Sequence, residues 1–364
     1  VVVIAHWSLS GQHLLRALRS AGAHSFLIYD NTSRALRRST ACQAVLRVPD
    51  VATSNPAGIA AVINDLHDRA PIDCVLGSDL DSLLLLAKVR DMIRAPVYPM
   101  ASPDVLAALH DKWRFTTLCE SLQIDVPDSM LISGPADFAR CSEQIGFPLV
   151  IKPVDQYGQR GVVVCRDAYD LVVRLRDYPY APCIAQERIP GDDWGASIFA
   201  RAGEITHWAT FLCPDYAAAV FRENEDLMQA VRKIVAYTGF TGVANFDARC
   251  DRRTGRMKLF ECNPRFFLRL TAARLNGLDF VQAAAAAPEG TTRALTSGVY
   301  RPWRDLFTLD GVRALCNGAW PAGLLFEDLA ELLADPWPIV LRKAAKGEKE
   351  ARKERQPDAG IVRL

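Results

Sequence analysis

What the chain lacks narrows it first. No CxxC spacing occurs among its ten cysteines, so the paired thiols of a structural zinc site are missing. Most of these cysteines sit inside apolar runs, as expected of buried free thiols in a reducing, cytoplasmic setting. Excess charge is missing too: 43 Lys and Arg against 42 Asp and Glu leave a net +1, which argues against a nucleic-acid footprint. No apolar run approaches the length of a membrane span, and the opening Val1-Val2-Val3-Ile4-Ala5 is too short and lacks the basic start of a signal peptide. Neither GxGxxG nor GxxxxGK[ST] is present, and there are no internal repeats.

What is present suits a multidomain α/β and α+β protein. A chain of 364 residues is too long for one core, and two or three domains are expected. Over residues 1–110, strand patterns at 1–5, 25–29 and 73–76 alternate with helix patterns at 11–21, 57–69 and 79–90, which predicts a Rossmann-like parallel sheet. The first loop, His6-Trp7-Ser8-Leu9-Ser10-Gly11, has a single glycine, which weighs against a nicotinamide-dependent dehydrogenase. His6 and His13 read as structural, and Ser78-Asp79 as a helix cap. Later segments predict helices at 136–146, 223–238 and 277–287, strands at 147–154, 162–165 and 181–189, and a long hairpin turning at Ala202-Gly203. The charged tail at 342–355 is assigned no chemistry.

The richest stretch is Leu259-Phe260-Glu261-Cys262-Asn263-Pro264-Arg265-Phe266. Strand alternation places Glu261 and Asn263 on one face and Phe260 and Cys262 on the other. If Arg253-Thr254-Gly255 is a three-residue hairpin loop, Asp247 of the preceding strand falls opposite Glu261. Opposed carboxylates repel, so such a pair points to a shared cation, and Asp247, Glu261 and Asn263 offer the hard oxygens that suit Mg²⁺, with Mn²⁺ as a substitute. Pro264 ends the ladder, and Arg265 projects beside the acids, where it would stabilise a transferring phosphoryl group.

Two upstream stretches fit around that site. Lys152 ends a strand before the loop 154–161, where Gly158 and Gly161 let backbone N–H groups turn toward phosphate oxygens; alone, this would also suit a plain hairpin. In Gln186-Glu187-Arg188-Ile189-Pro190-Gly191-Asp192-Asp193, the backbone from Glu187 to Ile189 is placed to pair with an adenine edge and Gln186 to read its amino group. Asp193 would accept from ribose hydroxyls, whereas alone the stretch would suit a charged hinge.

In this order the pieces resemble the ATP-grasp superfamily over residues 1–290, most of all its carboxylate–amine ligases related to carbamoyl-phosphate synthase large subunits and D-amino-acid ligases. Glu261-Cys262-Asn263-Pro264-Arg265 with Asp247 upstream resembles the family's E-x-N-P-R signature. The two nucleotide lysines match Lys112 and Lys152, and the adenine hinge and ribose carboxylate match 186–191 and Asp193. The glycine-poor loop 154–161 and the bulky Phe266-Phe267-Leu268-Arg269 depart from many relatives. The resemblance implies a pre-ATP-grasp domain at 1–110, a small subdomain at 111–190, a large subdomain at 191–290 and a C-terminal extension at 291–364. It implies ATP with Mg²⁺, an acyl phosphate as intermediate, Arg265 and Lys152 as catalytic residues, and small-molecule carboxylate and amine substrates. A homodimer is the base-rate expectation, and neither nucleic acid nor membrane is an expected partner. A bicarbonate-using enzyme and a non-enzymatic ATP-binding regulator remain the alternatives.

Overall fold

Alternating apolar runs in the first hundred residues form one parallel sheet in the computed structural model, which describes residues 1–343 except 135–136, 177, 180–181, 216–217 and 285–291. The described residues divide into two compact units, one formed by Val1–Tyr98 with the described residues from Leu325 onward, the other by those of Pro99–Leu324.

In the first unit the strands β1 (Val2–Ala5), β2 (Phe26–Tyr29), β3 (Ala44–Arg47) and β4 (Val75–Gly77) line up in the order β3-β2-β1-β4, all parallel. Helix α1 (Ser8–Ser20) crosses from β1 to β2 and α2 (Pro56–Arg69) from β3 to β4, while α3 (Leu80–Val89) follows β4. Asp79 caps α3 as expected, accepting from Ser82 N at 3.1 Å, and it also accepts from the His6 and Trp7 N–H groups at 2.9 Å. Strand β3 was not anticipated: it is an exposed edge strand with no alternating pattern.

The second unit holds two sheets. Ser102 caps α4 (Pro103–His110) and Asp111 caps α5 (Lys112–Ser121), accepting from Val105 N and Arg114 N at 3.4 and 2.8 Å. The smaller sheet has β5 (Ser129–Ile132), β6 (Leu149–Pro153), β7 (Val163–Cys165) and β8 (Cys183–Glu187) in the order β5-β8-β6-β7. One face is apolar: Leu149, Ile151, Cys183 and Ala185 pack with Leu171 and Leu175 of α7 (Ala168–Leu175) and with Cys141 of α6 (Asp137–Gln144). Alternation therefore puts Lys152 and Gln186 on the other face.

The larger sheet is built on β9 (Gly191–Arg201), β10 (Glu204–Leu212), β11 (Ala219–Arg222), β12 (Gly242–Asp251) and β13 (Met257–Asn263). Its order is β13-β12-β9-β10-β11-β15, where β15 is Ser297–Tyr300, and β14 (Arg293–Leu295) pairs with β10. The β9–β10 hairpin turns at Ala202 and Gly203, both at positive φ (47° and 87°), the backbone that a two-residue turn between twisted strands requires. Helix α8 (Glu225–Thr238) is capped by Asn224 and ends at left-handed Gly239.

One expected helix is absent among the described residues. Instead of a helix from Gly277 there is a 3₁₀ turn at Gln282–Ala284, and positions 285–287 lie outside the described residues. A short helix, α9 (Leu270–Leu275), precedes it. Of the tail 342–355, positions 344–355 also lie outside the described residues. Five of the cysteines are buried, four are half-buried and Cys316 is exposed, and all ten are free thiols. Among the described residues no helix is long and apolar enough to cross a membrane.

Candidate active site

The site grows from the register of three adjacent strands. In β12, Asn245, Asp247 and Arg249 share a face, and their partners on β9 are Ser197, Gly195 and Asp193. On β13, Glu261 and Asn263 stand opposite Asp247 and Asn245. Three polar rows therefore cross the sheet: Asp193 with Arg249, Asp247 with Glu261, and Ser197 with Asn245 and Asn263.

Asp247 does face Glu261, but not by the expected route. Asp251 N donates to Arg256 O at 2.9 Å, so the loop holds four residues, Arg252 to Gly255, with Gly255 left-handed at φ 72°. That longer loop shifts the register by one, and a bulge at Phe260 shifts it back. The bulge also overturns the alternation expected of Phe260. Its ring lies 4.5 Å from Lys152 Nζ, the same ammonium that Glu261 acts on.

Hydrogen bonds lock the acidic row. Asp247 accepts from Asn245 Nδ2 at 2.9 Å and from Asn263 Nδ2 at 3.1 Å, while Ser197 Oγ donates to Asn245 Oδ1 at 2.9 Å. Asn263 Oδ1 accepts from Arg265 Nη2 at 2.7 Å. In this arrangement Asn263 meets the carboxylates through its nitrogen, and it offers them oxygen only with the amide turned over. Burial, and then the charge of Glu261, push the Asp247 carboxyl well above the usual carboxylate range. Two adjacent half-buried carboxyls flanked by amides, with the charge of Glu261 opposing ionisation of Asp247, are a donor set that a hard divalent cation fits, since the cation would stabilise both charges.

Two lysines converge on the acids. The small sheet's polar face presents Lys152, whose Nζ donates to Gln186 Oε1 at 3.0 Å, and Gln186 Nε2 donates to Ser129 Oγ at 3.0 Å. Burial pulls the Lys152 ammonium down to about 8, against the opposing pull of Glu261. Lys112, 3% exposed at the start of α5, lies 3.8 Å from Glu261 Oε1. Phe115 of the same helix packs on Phe246 of β12, with ring centroids 6.3 Å apart.

The loop after β6 reaches this cluster through carbonyls. Gln156 O accepts from Lys112 Nζ at 2.5 Å and Asp155 O pairs with His110 Nε2 at 2.8 Å, while the Tyr157 ring centroid lies 5.2 Å from the Arg265 guanidinium carbon. Gly158 and Gly161 are both left-handed, at φ 68° and 73°, as their type suggested.

At the hinge the Glu187 and Arg188 N–H groups donate to Asp128 O and Pro148 O at 2.8 and 3.1 Å, and Ile189 O accepts from Arg249 Nη1 at 3.2 Å. The Glu187 carboxylate is paired with Arg253 and, at 2.9 Å, with Lys258. Asp193 is held by Arg249 Nε at 2.6 Å. Gly191 is obligatory: a Cβ there would lie 1.8 Å from Cys250 O. The nucleotide-, metal- and phosphoryl-directed residues expected from sequence thus all fall within the second unit. Those not singled out are Asn245, Arg249, Ser197, Ser129, Phe260 and Tyr157; of these, Asn245 could have been found, because it precedes Asp247 by two on the same strand face.

No protein-family model matches the chain. It is 25% identical over 218 residues to a D-aspartate ligase of Enterococcus faecium, covering 51% of this chain and 51% of that relative. The chain thus spans about half the length of that curated relative. Among solved structures it resembles an L-amino acid ligase from Bacillus licheniformis, with a TM-score of 0.61 at 16% identity over 78% of this chain and 73% of that one. It also resembles an N5-carboxyaminoimidazole synthetase from Staphylococcus aureus complexed with ADP, with a TM-score of 0.62 at 12% identity over 86% and 85%. At such identities the likeness shows a shared fold.

Proposed function

We propose, from the premise that this chain has the ATP-grasp fold, that it is an ATP-dependent ligase that joins a carboxylate to an amine. The observation that carries the proposal is the convergence of Lys112 and Lys152 on the Asp247–Glu261 pair, with Arg265 alongside. A nucleotide triphosphate held between the two sheets of the second unit would meet ammonium groups on one side and a cation-binding acidic pair on the other. Asp247 and Glu261 would hold Mg²⁺, joined by Asn263 only once its amide turns its oxygen from Arg265 to the ion, and the ion would supply charge neutralisation for the β- and γ-phosphates.

The protein's own groups do the positioning. Lys152, fixed by Gln186 and the Phe260 ring, presents a compact charge to phosphate oxygens. Asp193, oriented by Arg249, accepts from the ribose, and the hinge from Gln186 to Ile189 borders the adenine. The substrate carboxylate attacks the γ-phosphorus, giving an acyl phosphate and ADP. The amine then adds to the acyl carbon, loses a proton and expels phosphate. Arg265 stabilises the negative charge that builds up in these steps, a contribution of about 10²–10³ in rate for a well-placed donor. The loop 154–161 shields the acyl phosphate from water.

The D-aspartate ligase and L-amino acid ligase likenesses favour amino acids among the substrates. The test is ADP release from ATP and Mg²⁺ with pooled amino acids and small acids, hydroxylamine being added to trap acyl phosphate as hydroxamate. Hydroxamate that forms with a carboxylic acid, and disappears in a folded Glu261→Ala variant, supports the proposal. ADP release on bicarbonate alone would replace it with a carboxyphosphate chemistry, and nucleotide binding without turnover on any acid would leave only a regulator.

A further inference from the structure

We propose that the first unit carries an oxyanion site of its own, which takes the phosphate group of a small molecule. A cavity of about 230 Å³ opens at the carboxyl ends of β2 and β3, lined by Tyr29, Asn31, Arg34, Arg37 and Arg47. The fold builds it in three steps. Tyr29 and Arg47 are register partners at the ends of their strands. The turn after β2 is held by Asp30, whose Oδ1 accepts from Thr32 N and Ser33 N at 2.8 and 3.0 Å. Arg34–Arg38 is a 3₁₀ helix, and with three residues per turn Arg34 and Arg37 stack on one side of it.

The charge arrangement points to a ligand. Three arginines, whose guanidiniums stay protonated at any physiological pH, line one small cavity. Among the described residues none of the three takes part in an ion pair; Arg47 Nη2 donates to Asn31 Oδ1 at 2.7 Å. The buried carboxylate of the turn after β2, Asp30, is directed elsewhere, its Oδ2 being held by His6 Nδ1 at 2.5 Å and Val51 N at 3.0 Å. An anion bound among the arginines would relieve their repulsion and match their forked donors. The cavity is below the roughly 300 Å³ at which whole-ligand pockets begin, so it suits a single phosphate group. Ligands collect at the carboxyl ends of parallel strands, and the near-zero net charge gives no reason to invoke a nucleic acid.

The experiment is isothermal titration of the full chain with inorganic phosphate, pyrophosphate and malonate in about 150 mM sodium chloride, where exposed charges are largely screened. It is run on the wild type, on an Arg37→Gln/Arg47→Gln double variant and on Lys152→Met. The proposal expects phosphate or pyrophosphate to bind the wild type and Lys152→Met alike. In the double variant, affinity should fall by at least about tenfold, while its thermal midpoint without anion is unchanged or raised. Three results would overturn it: no binding by the wild type at millimolar phosphate or pyrophosphate, binding lost in Lys152→Met but retained in the double variant, or malonate binding more tightly than phosphate.

Discussion

Lys152→Met should make the nucleotide-free protein more stable at neutral pH while removing its affinity for ATP. Burial lowers the Lys152 pKa from 10.5 to about 8, so the folded state holds the ammonium at a disadvantage. A downward shift of that size corresponds to about 3 kcal/mol at pH 7, where the group is charged in both states. The sign follows from the two values: the penalty is full below the folded pKa and fades as pH rises toward the unfolded one. At pH 10 it has fallen below about 1 kcal/mol. Methionine fills similar volume without charge, but it leaves Gln186 Oε1 without its donor, which costs about 1–2 kcal/mol. The variant should therefore gain about 1–2 kcal/mol at pH 7 and lose that advantage by pH 10. Urea unfolding of both proteins at the two pH values, without nucleotide or divalent ion, measures the difference. A variant less stable than wild type at pH 7, or a difference that does not change with pH, would refute the reasoning.

Asn245→Ala should leave the fold intact and raise the Mg²⁺ concentration needed for half-maximal activity by about tenfold, because Asp247 loses the amide that orients it; a magnesium titration of ADP release reads this directly. Gly191→Ala should destabilise the protein by about 2–4 kcal/mol, since its Cβ would lie 1.8 Å from Cys250 O; the urea midpoint would fall accordingly. Glu261→Ala should abolish ADP formation, and an unchanged circular dichroism spectrum would separate that loss from unfolding.

Much of this site was legible because its parts obey short-range rules. Two-residue alternation is enough to put Lys152 and Gln186 on one face and Asp247 beside Asn245. Glycine chemistry marks the Ala202-Gly203 turn and Gly255. The pairing of Asp247 with Glu261 was reached through two compensating differences, a loop one residue longer and a bulge one residue wide. A bulge has no signature in a strand this short, so the turn of Phe260 toward Lys152 was not readable. Pairings between distant strands were equally hidden: Arg249 meets Asp193 only once β12 lies on β9, and β14 and β15 join the large sheet from a stretch with no local pattern of its own. Strand β3 escaped notice because an exposed edge needs no alternation.

The transfer of oxygen-18 tests the central claim most directly. A carboxylic acid that yields hydroxamate is supplied with both carboxyl oxygens labelled, together with ATP, Mg²⁺ and its amine, and the released phosphate is analysed by mass spectrometry. Activation through an acyl phosphate places one labelled oxygen in each phosphate released. Unlabelled phosphate formed in step with product would contradict it.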